Sequence, residues 1–305
     1  MAIDLLKKLV QEAGALPTST STSIEAFTLD TPQKQGIKIL GWGDTGEGKT
    51  YALIGFLLHG LRIFVVETDL GGSGISTVSI HLKEMGRSDL LKNIACVPLN
   101  YKGIDAFISD PNQVRIGGVP LYEWGPDLIA WEGFSIWQTV DLDEFILSMP
   151  SASAKREKET GDFKMTPIRE EGLHADPVDY DAIKRGTFQV LRRFLSLNND
   201  LTGKIWHKYV TCHEQERRKN PQGQYIDDKT QPYLLGMARK LIPAAFDVVL
   251  NMDSKPVVGS TPPRVEHFYA IQSSEKTSKV RGYKLNPTEP GDMFALWGKI
   301  ISQSV

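Results

Sequence analysis

Gly43-Asp44-Thr45-Gly46-Glu47-Gly48-Lys49-Thr50 places glycine, lysine and threonine at the spacing that grips a chain of phosphates. Glycines at Gly43, Gly46 and Gly48 let the backbone turn tightly, so that successive N–H groups point inward at the anion. Lys49 would carry a cation to the β and γ phosphates, and Thr50 would offer its hydroxyl to Mg2+, which prefers oxygen ligands. The candidate nucleotide-binding residues are therefore Gly43, Asp44, Thr45, Gly46, Glu47, Gly48, Lys49, Thr50 and the adjoining Tyr51. A strand-like run, Ile37 to Leu40, precedes the loop and a helix-like run, Tyr51 to Leu58, follows it, which is the setting the motif needs.

Breaking a phosphoanhydride bond also requires one acid near Mg2+ and another to orient the attacking water, both at the carboxyl ends of strands. Leu128 to Trp131 is an apolar run that ends in Glu132, the candidate support for the metal. Ile63 to Val66 runs into Glu67-Thr68-Asp69 and then a glycine-rich stretch, and side-chain alternation lets Glu67 and Asp69 share a face. Either acid is a candidate for orienting water. A third strand-like run ends at His213, a candidate sensor of the γ-phosphate.

The elements that must position these groups are legible as short apolar runs at Ile37 to Leu40, Ile63 to Val66, Ile94 to Val97, Leu128 to Trp131, Ile205 to Cys212, Phe246 to Leu250 and Phe268 to Ile271. Such runs, with helical or irregular stretches between them, predict an α/β fold with a mostly parallel sheet covered by helices on both faces. Residues 1–23 read as a short amphipathic helix followed by a polar linker, and the folded domain is expected over 24–305. Two stretches lose the apolar rhythm, Ser148 to Pro177 and Glu214 to Gln231, and read as long functional or mobile loops. Hydrophobic residues at 41% and charged residues at 24% are ordinary for a globular protein. Cys96 and Cys212 stand far apart without metal-ligand spacing, so they are expected as small buried apolar residues. No run approaches the ~18 apolar residues of a membrane span, which predicts a cytoplasmic protein. The formal net charge of -2 leaves nucleic-acid binding to local basic patches.

Taken in order, GDTGEGKT at Gly43 to Thr50, VVETDLGG at Val65 to Gly72, LIAWEGFS at Leu128 to Ser135, YVTCHEQE at Tyr209 to Glu216 and the segment Gln231 to Met252 resemble the RecA-like P-loop ATPases, and more closely the phage-type AAA ATPases that include the Sak4-like single-strand annealing proteins. SEKTSKVRG, Ser274 to Gly282, is similar to that family's late basic element. The resemblance implies an ATP- and Mg2+-dependent hydrolase that acts on single-stranded DNA in recombination, annealing or repair, as a ring or filament of like subunits. It implies that Asp69 stands nearest the water-activating position, that His213 is a nucleotide sensor, and that Lys279 and Arg281 reach a neighbouring subunit's γ-phosphate. DNA would be met by Lys155, Arg156, Lys158 and Lys164 in the first irregular stretch, and by Arg217, Arg218, Lys219 and Tyr225 in the second. Two departures stand at the carboxylates, with Glu132 where aspartate is usual and Asp69 where glutamate is common. They suit a second reading, a nucleotide-dependent assembly switch that hydrolyses little and acts on a protein partner. A third reading is a P-loop phosphotransferase with the 148–177 stretch as its lid.

Overall fold

Along Lys38–Gly43 (β1), Ile39 turns to one side while Leu40 and Trp42 turn to the other, and both sets are buried. A strand that is apolar on both faces must lie inside a sheet covered on both sides. The computed structural model describes residues 36–68, 74–141, 177–215, 217, 220–224, 229–234, 241–258 and 264–304. Among these, Ile63–Glu67 (β2) and Ile94–Pro98 (β3) follow β1, Arg115–Ile116 (β4) and Val119–Pro120 (β5) make a separate small hairpin, and Leu128–Glu132 (β6) and His207–Gln215 (β7) return to the main sheet. Gln231–Pro232 (β8), Val248–Val257 (β9), Arg264–Ala270 (β10), Lys279–Val280 (β11) and Thr288–Pro290 (β12) complete it.

The sheet runs β12-β10-β9-β1-β7-β6-β2-β3, with β11 on β9 and β8 on β7. The six strands from β9 to β3 are parallel, while β10 and β12 extend one edge antiparallel. All seven apolar runs expected as strands are strands, and the mostly parallel, helix-covered sheet predicted from them is the fold. One face is covered by Tyr101–Ser109 (α3) and Pro177–Ser196 (α4), whose Ile104, Phe107, Leu191 and Phe194 meet Leu40, Trp42, Phe64 and Trp131. The opposite face is covered by Ala52–Leu58 (α1), Gly74–Glu84 (α2) and Met293–Ile301 (α5), packed on Ile39, Val65, Ala130 and Tyr209. Asp292 starts α5 by accepting the N–H groups of Phe294 and Ala295.

Parallel pairing brings the carboxyl ends of these strands to one edge in fixed register, with Gly43 opposite His213 and Glu67 opposite Glu132. Three expectations change in detail. Gly43 belongs to β1 and not to a turn; it is glycine because a Cβ there would lie 2.3 Å from the Met252 carbonyl oxygen. The stretch expected as an open loop from Glu214 to Gln231 is tied at both ends, since Glu214 and Gln215 in β7 pair with Pro232 and Gln231 in β8. The stretch from Ser148 gives way at Pro177 to α4, a helix long enough to lay several apolar side chains on the sheet. The expected N-terminal helix and linker, the boundary at 23–24 and most of the 148–177 insertion lie outside the described residues. Among the described residues no helix is long and apolar enough to cross a membrane.

Tyr209 links the sheet to the loop. Its buried hydroxyl donates to the Lys49 carbonyl at 2.8 Å, and Gly41 leaves room for it, because a Cβ at Gly41 would lie 2.7 Å from that oxygen. Tyr209→Phe is expected to cost about 1 kcal/mol, the net worth of one hydrogen bond. Gly41→Ala should cost more, since it displaces the whole phenol, and urea titration of both variants measures the difference.

Candidate functional site

At the carboxyl edge of the sheet lies a cavity of about 560 Å³, a volume suited to a small-molecule ligand. Thr45 to Tyr51 line it together with Glu132, Gly133, Thr211, Cys212 and His213 from the strand ends, Gly74, Thr77 and His81 from α2, and His267, Tyr269 and Gly291 from the antiparallel extension. Gly46 and Gly48 hold φ of 89° and 85°, the left-handed region that side chains strain to enter. The helix is entered at once, with the Ala52 N–H donating to the Gly48 carbonyl at 3.0 Å.

Lys49 lies across the loop, its ammonium donating to the carbonyls of Gly43 at 2.9 Å and Asp44 at 2.6 Å. Burial lowers its pKa, opposed by the charges of Glu132, Asp44 and Glu47. The two acids of the loop are turned to other partners. Asp44 accepts the Thr45 N–H at 2.7 Å, while Glu47 accepts the Ser254 hydroxyl at 3.0 Å and lies 3.9 Å from the His267 ring, so its carboxylate braces the loop against β9 and β10. Tyr51 meets His81 edge to face at 5.2 Å.

Glu132 is the most constrained acid of the site. Its Oε2 accepts both the Thr50 hydroxyl at 3.0 Å and the Thr211 hydroxyl at 3.2 Å, while Oε1 is buried with no partner among the described residues. Loss of hydration pushes its pKa up to about 7 against the opposing pull of those hydroxyls and of Lys49, with Glu67 adding to the rise. Glu67, its neighbour in register, is buried as well and accepts the Cys96 thiol at 3.4 Å. Cys96, expected as an apolar filler, is thus a donor to the site, and burial lifts its thiol to about 12. Thr68 turns the other way from Glu67, donating to the carbonyls of Glu132 at 2.9 Å and Gly133 at 3.1 Å and accepting the Trp131 indole N–H. Asp69 lies outside the described residues.

His213 lines the cavity, and its backbone N–H donates to the Ser135 hydroxyl at 2.8 Å. Lys279 and Arg281 are not brought to the loop within one chain. β11 pairs at Val248 and Val249, the starting end of β9, so both cations sit toward the opposite edge of the sheet. The Lys279 ammonium is engaged by the carbonyls of Pro243, Ala244 and Phe246 at 2.7 to 3.3 Å, and the Arg281 backbone N–H donates to the Asp247 carbonyl. Alternation along a strand does not align the pair here, because β11 ends at Val280. The lysine of the late basic element that reaches the carboxyl edge is Lys276, paired with Asp253 beside Glu214. Arg217 is half-buried, and Lys155, Arg156, Lys158, Lys164, Arg218, Lys219 and Tyr225 lie outside the described residues.

Thr211, Ser254 and His267 were not singled out from sequence. Only Thr211 carried a signal, a polar residue inside the apolar run of β7. No protein-family model matches the chain, and no curated protein matches its sequence. Among solved structures, the chain is similar to the flagellar accessory protein FlaH from Methanocaldococcus jannaschii, at 12% identity over 80% of this chain and 83% of that one, with a TM-score of 0.36. It is also similar to the RadB recombinase, at 14% identity over 81% and 92% of the two chains, with a TM-score of 0.39.

The Glu132 carboxyl gives a stability test. Its pKa in the fold, about 7, lies above the unfolded value of 4.5, so the native state holds an extra proton between those values and this group's contribution is lost as pH rises through that window. Glu132→Gln, measured without nucleotide or metal, should match the parent near pH 4.5 and exceed its stability above pH 7 by about 3 kcal/mol. Urea titrations across that range would expose a flat difference if the carboxyl is already ionised at pH 5.

Proposed function

We propose that this chain binds ATP with Mg2+ in the cavity, hydrolyses it, and uses the cycle in the cytoplasm to act on single-stranded DNA as an assembly of like subunits. The observation that supports this most is convergence. A glycine-bounded loop with Lys49, the Thr50 hydroxyl and the carboxylates of Glu132 and Glu67 all meet at one edge of the sheet.

The residues fit a hydrated Mg2+. Glu132 Oε1 is a buried acceptor without a donor among the described residues, which a water on the metal would satisfy. Gly74 keeps space open beside the Thr50 hydroxyl and Glu67, since a Cβ there would come within 3.4 Å and 3.5 Å of their oxygens. Thr50 would be the direct ligand and Glu132 would act through water. When bound, Mg2+ supplies positive charge against the phosphate oxygens. Lys49 would exchange its two carbonyls for phosphate oxygens, a stronger charge-assisted pairing. Glu67, whose Oε1 lies beside Gly74, is the candidate to orient the attacking water, with Asp69 as the alternative. His213 would register the γ-phosphate. Of the two cations offered to a neighbouring subunit, Arg281 is exposed, whereas Lys279 would first have to leave three carbonyls.

The DNA reading rests on the family resemblance and on one connection. β7 lines the cavity through Thr211, Cys212 and His213 and then enters the segment that carries Arg217, Arg218, Lys219 and Tyr225. The far end of that segment is docked, with the Thr230 N–H donating to the Glu275 carbonyl at 2.9 Å and the Thr230 carbonyl accepting from Thr277. A displacement at the strand end would therefore be passed to a segment that carries these cations and is held at both ends. The burial of Glu132, which pushes its carboxyl up to about 7 in the metal-free chain, suits a second reading, a switch that binds ATP and hydrolyses it slowly.

Turnover of ATP by the purified chain, and by Lys49→Ala, tests the site. Lys49→Ala should lose at least about 100-fold, the scale set by removing a phosphate-clamping cation, and unchanged turnover sinks the assignment. The same assay with single-stranded DNA, duplex DNA and RNA at two salt concentrations tests the partner. Stimulation by single strands that fades with salt is expected. No effect of any nucleic acid, with oligomers that depend on nucleotide, would instead establish the switch.

A further inference from the structure

The Thr211 hydroxyl makes two bonds at once, and each fixes a different part of the site. It donates to Glu132 Oε2 at 3.2 Å and accepts the Gly133 N–H at 3.1 Å. A threonine hydroxyl has one proton and two lone pairs, so the two bonds are compatible. Gly133 is the residue at which the chain leaves β6, with φ of 79°. Thr211 thus holds both the carboxylate and the backbone turn that carries it. The residue is 1% exposed, and it stands on β7, the strand between β1 and β6.

Glutamate has one more rotatable bond than aspartate, so a glutamate at the end of β6 needs an additional restraint to present one defined oxygen. With the Thr50 and Thr211 hydroxyls both on Oε2, the carboxylate cannot spin freely, and Oε1 is the oxygen left over. We infer that Thr211 is a positioning residue for the metal. Its hydroxyl fixes the Glu132 carboxylate so that Oε1 is presented to the water shell of Mg2+ and the Thr50 hydroxyl oxygen keeps a lone pair for the ion. This rests on the reading of the cavity as a Mg2+-nucleotide site. In this role Thr211 acts through Glu132.

The test is an equilibrium one that needs no turnover. Binding of a non-hydrolysable ATP analogue is measured by calorimetry at a series of Mg2+ concentrations for the parent, Thr211→Val and Thr211→Ser. Thr211→Val keeps the shape and removes the hydroxyl; Thr211→Ser keeps the hydroxyl. The Mg2+ concentration for half-maximal enhancement should rise about tenfold or more in Thr211→Val, the usual scale for losing a group that orients a metal ligand. Thr211→Ser, which keeps the hydroxyl, should behave as the parent across the same Mg2+ series. Should Thr211→Val not fold, Thr211→Ala gives the same comparison. An unchanged Mg2+ requirement in the hydroxyl-free variant overturns the inference, as does an equal loss in Thr211→Ser. A parent chain that binds the analogue with no Mg2+ effect overturns the metal reading itself, and that result is distinct because it appears before any substitution.

Discussion

Taking the Glu132 side chain out of water is costly unless hydrogen bonds replace its lost hydration, and here they come from elements far apart in sequence. Thr50 ends the phosphate-binding loop and Thr211 lies on β7, yet both donate to the same oxygen. For that to happen, β1, β7 and β6 must lie side by side in one register, the first turn after the loop must close over them, and the chain must leave β6 at once through Gly133. Much of the remaining structure serves these requirements. Cover on both faces by α1 to α5 makes parallel pairing of such apolar strands stable, and Tyr209 ties the Lys49 carbonyl of the loop to the sheet.

At the Glu132 carboxylate the hydrogen bonds among the described residues leave Oε1 over, and beside it Lys49 rests on backbone carbonyls. Both are groups that gain more from a phosphate-bound metal or an anion than from their present surroundings. The loop's own acids do not oppose such an anion as strongly as their number suggests. Glu47 is tied back by Ser254 and His267, which places the antiparallel β9–β10 extension in a structural role next to the loop.

What sequence made legible and what it hid separate along physical lines. The seven strands were visible because parallel strands buried on both faces are continuous apolar runs. The loop was visible because its parts are contiguous, and Glu132 because a carboxylate that ends an apolar run is a local pattern. Thr211 was not, since its meaning depends on a partner 79 residues away. Neither was Cys96, whose bond to Glu67 arises only when β3 is laid beside β2. The placement of the late basic element was hidden too. Spacing grouped Lys279 with Arg281, and chain direction sends that part of the segment to the starting end of β9, where three carbonyls take up the lysine, and leaves Lys276 at the carboxyl edge.

The short pairing of β7 with β8 also has a bearing on how such a chain can vary. Because Glu214 and Gln215 lie against Pro232 and Gln231, the residues between them form a closed detour whose two ends meet on the sheet. The entropy of closing a detour grows only slowly with its length, so residues can be gained or lost there with little effect on the packed strands. Whatever the detour contacts can therefore be re-specified without rebuilding the cavity. The chain thus separates a part fixed by packing from a part free to diversify, a division that would let one nucleotide-binding core be fitted to different targets.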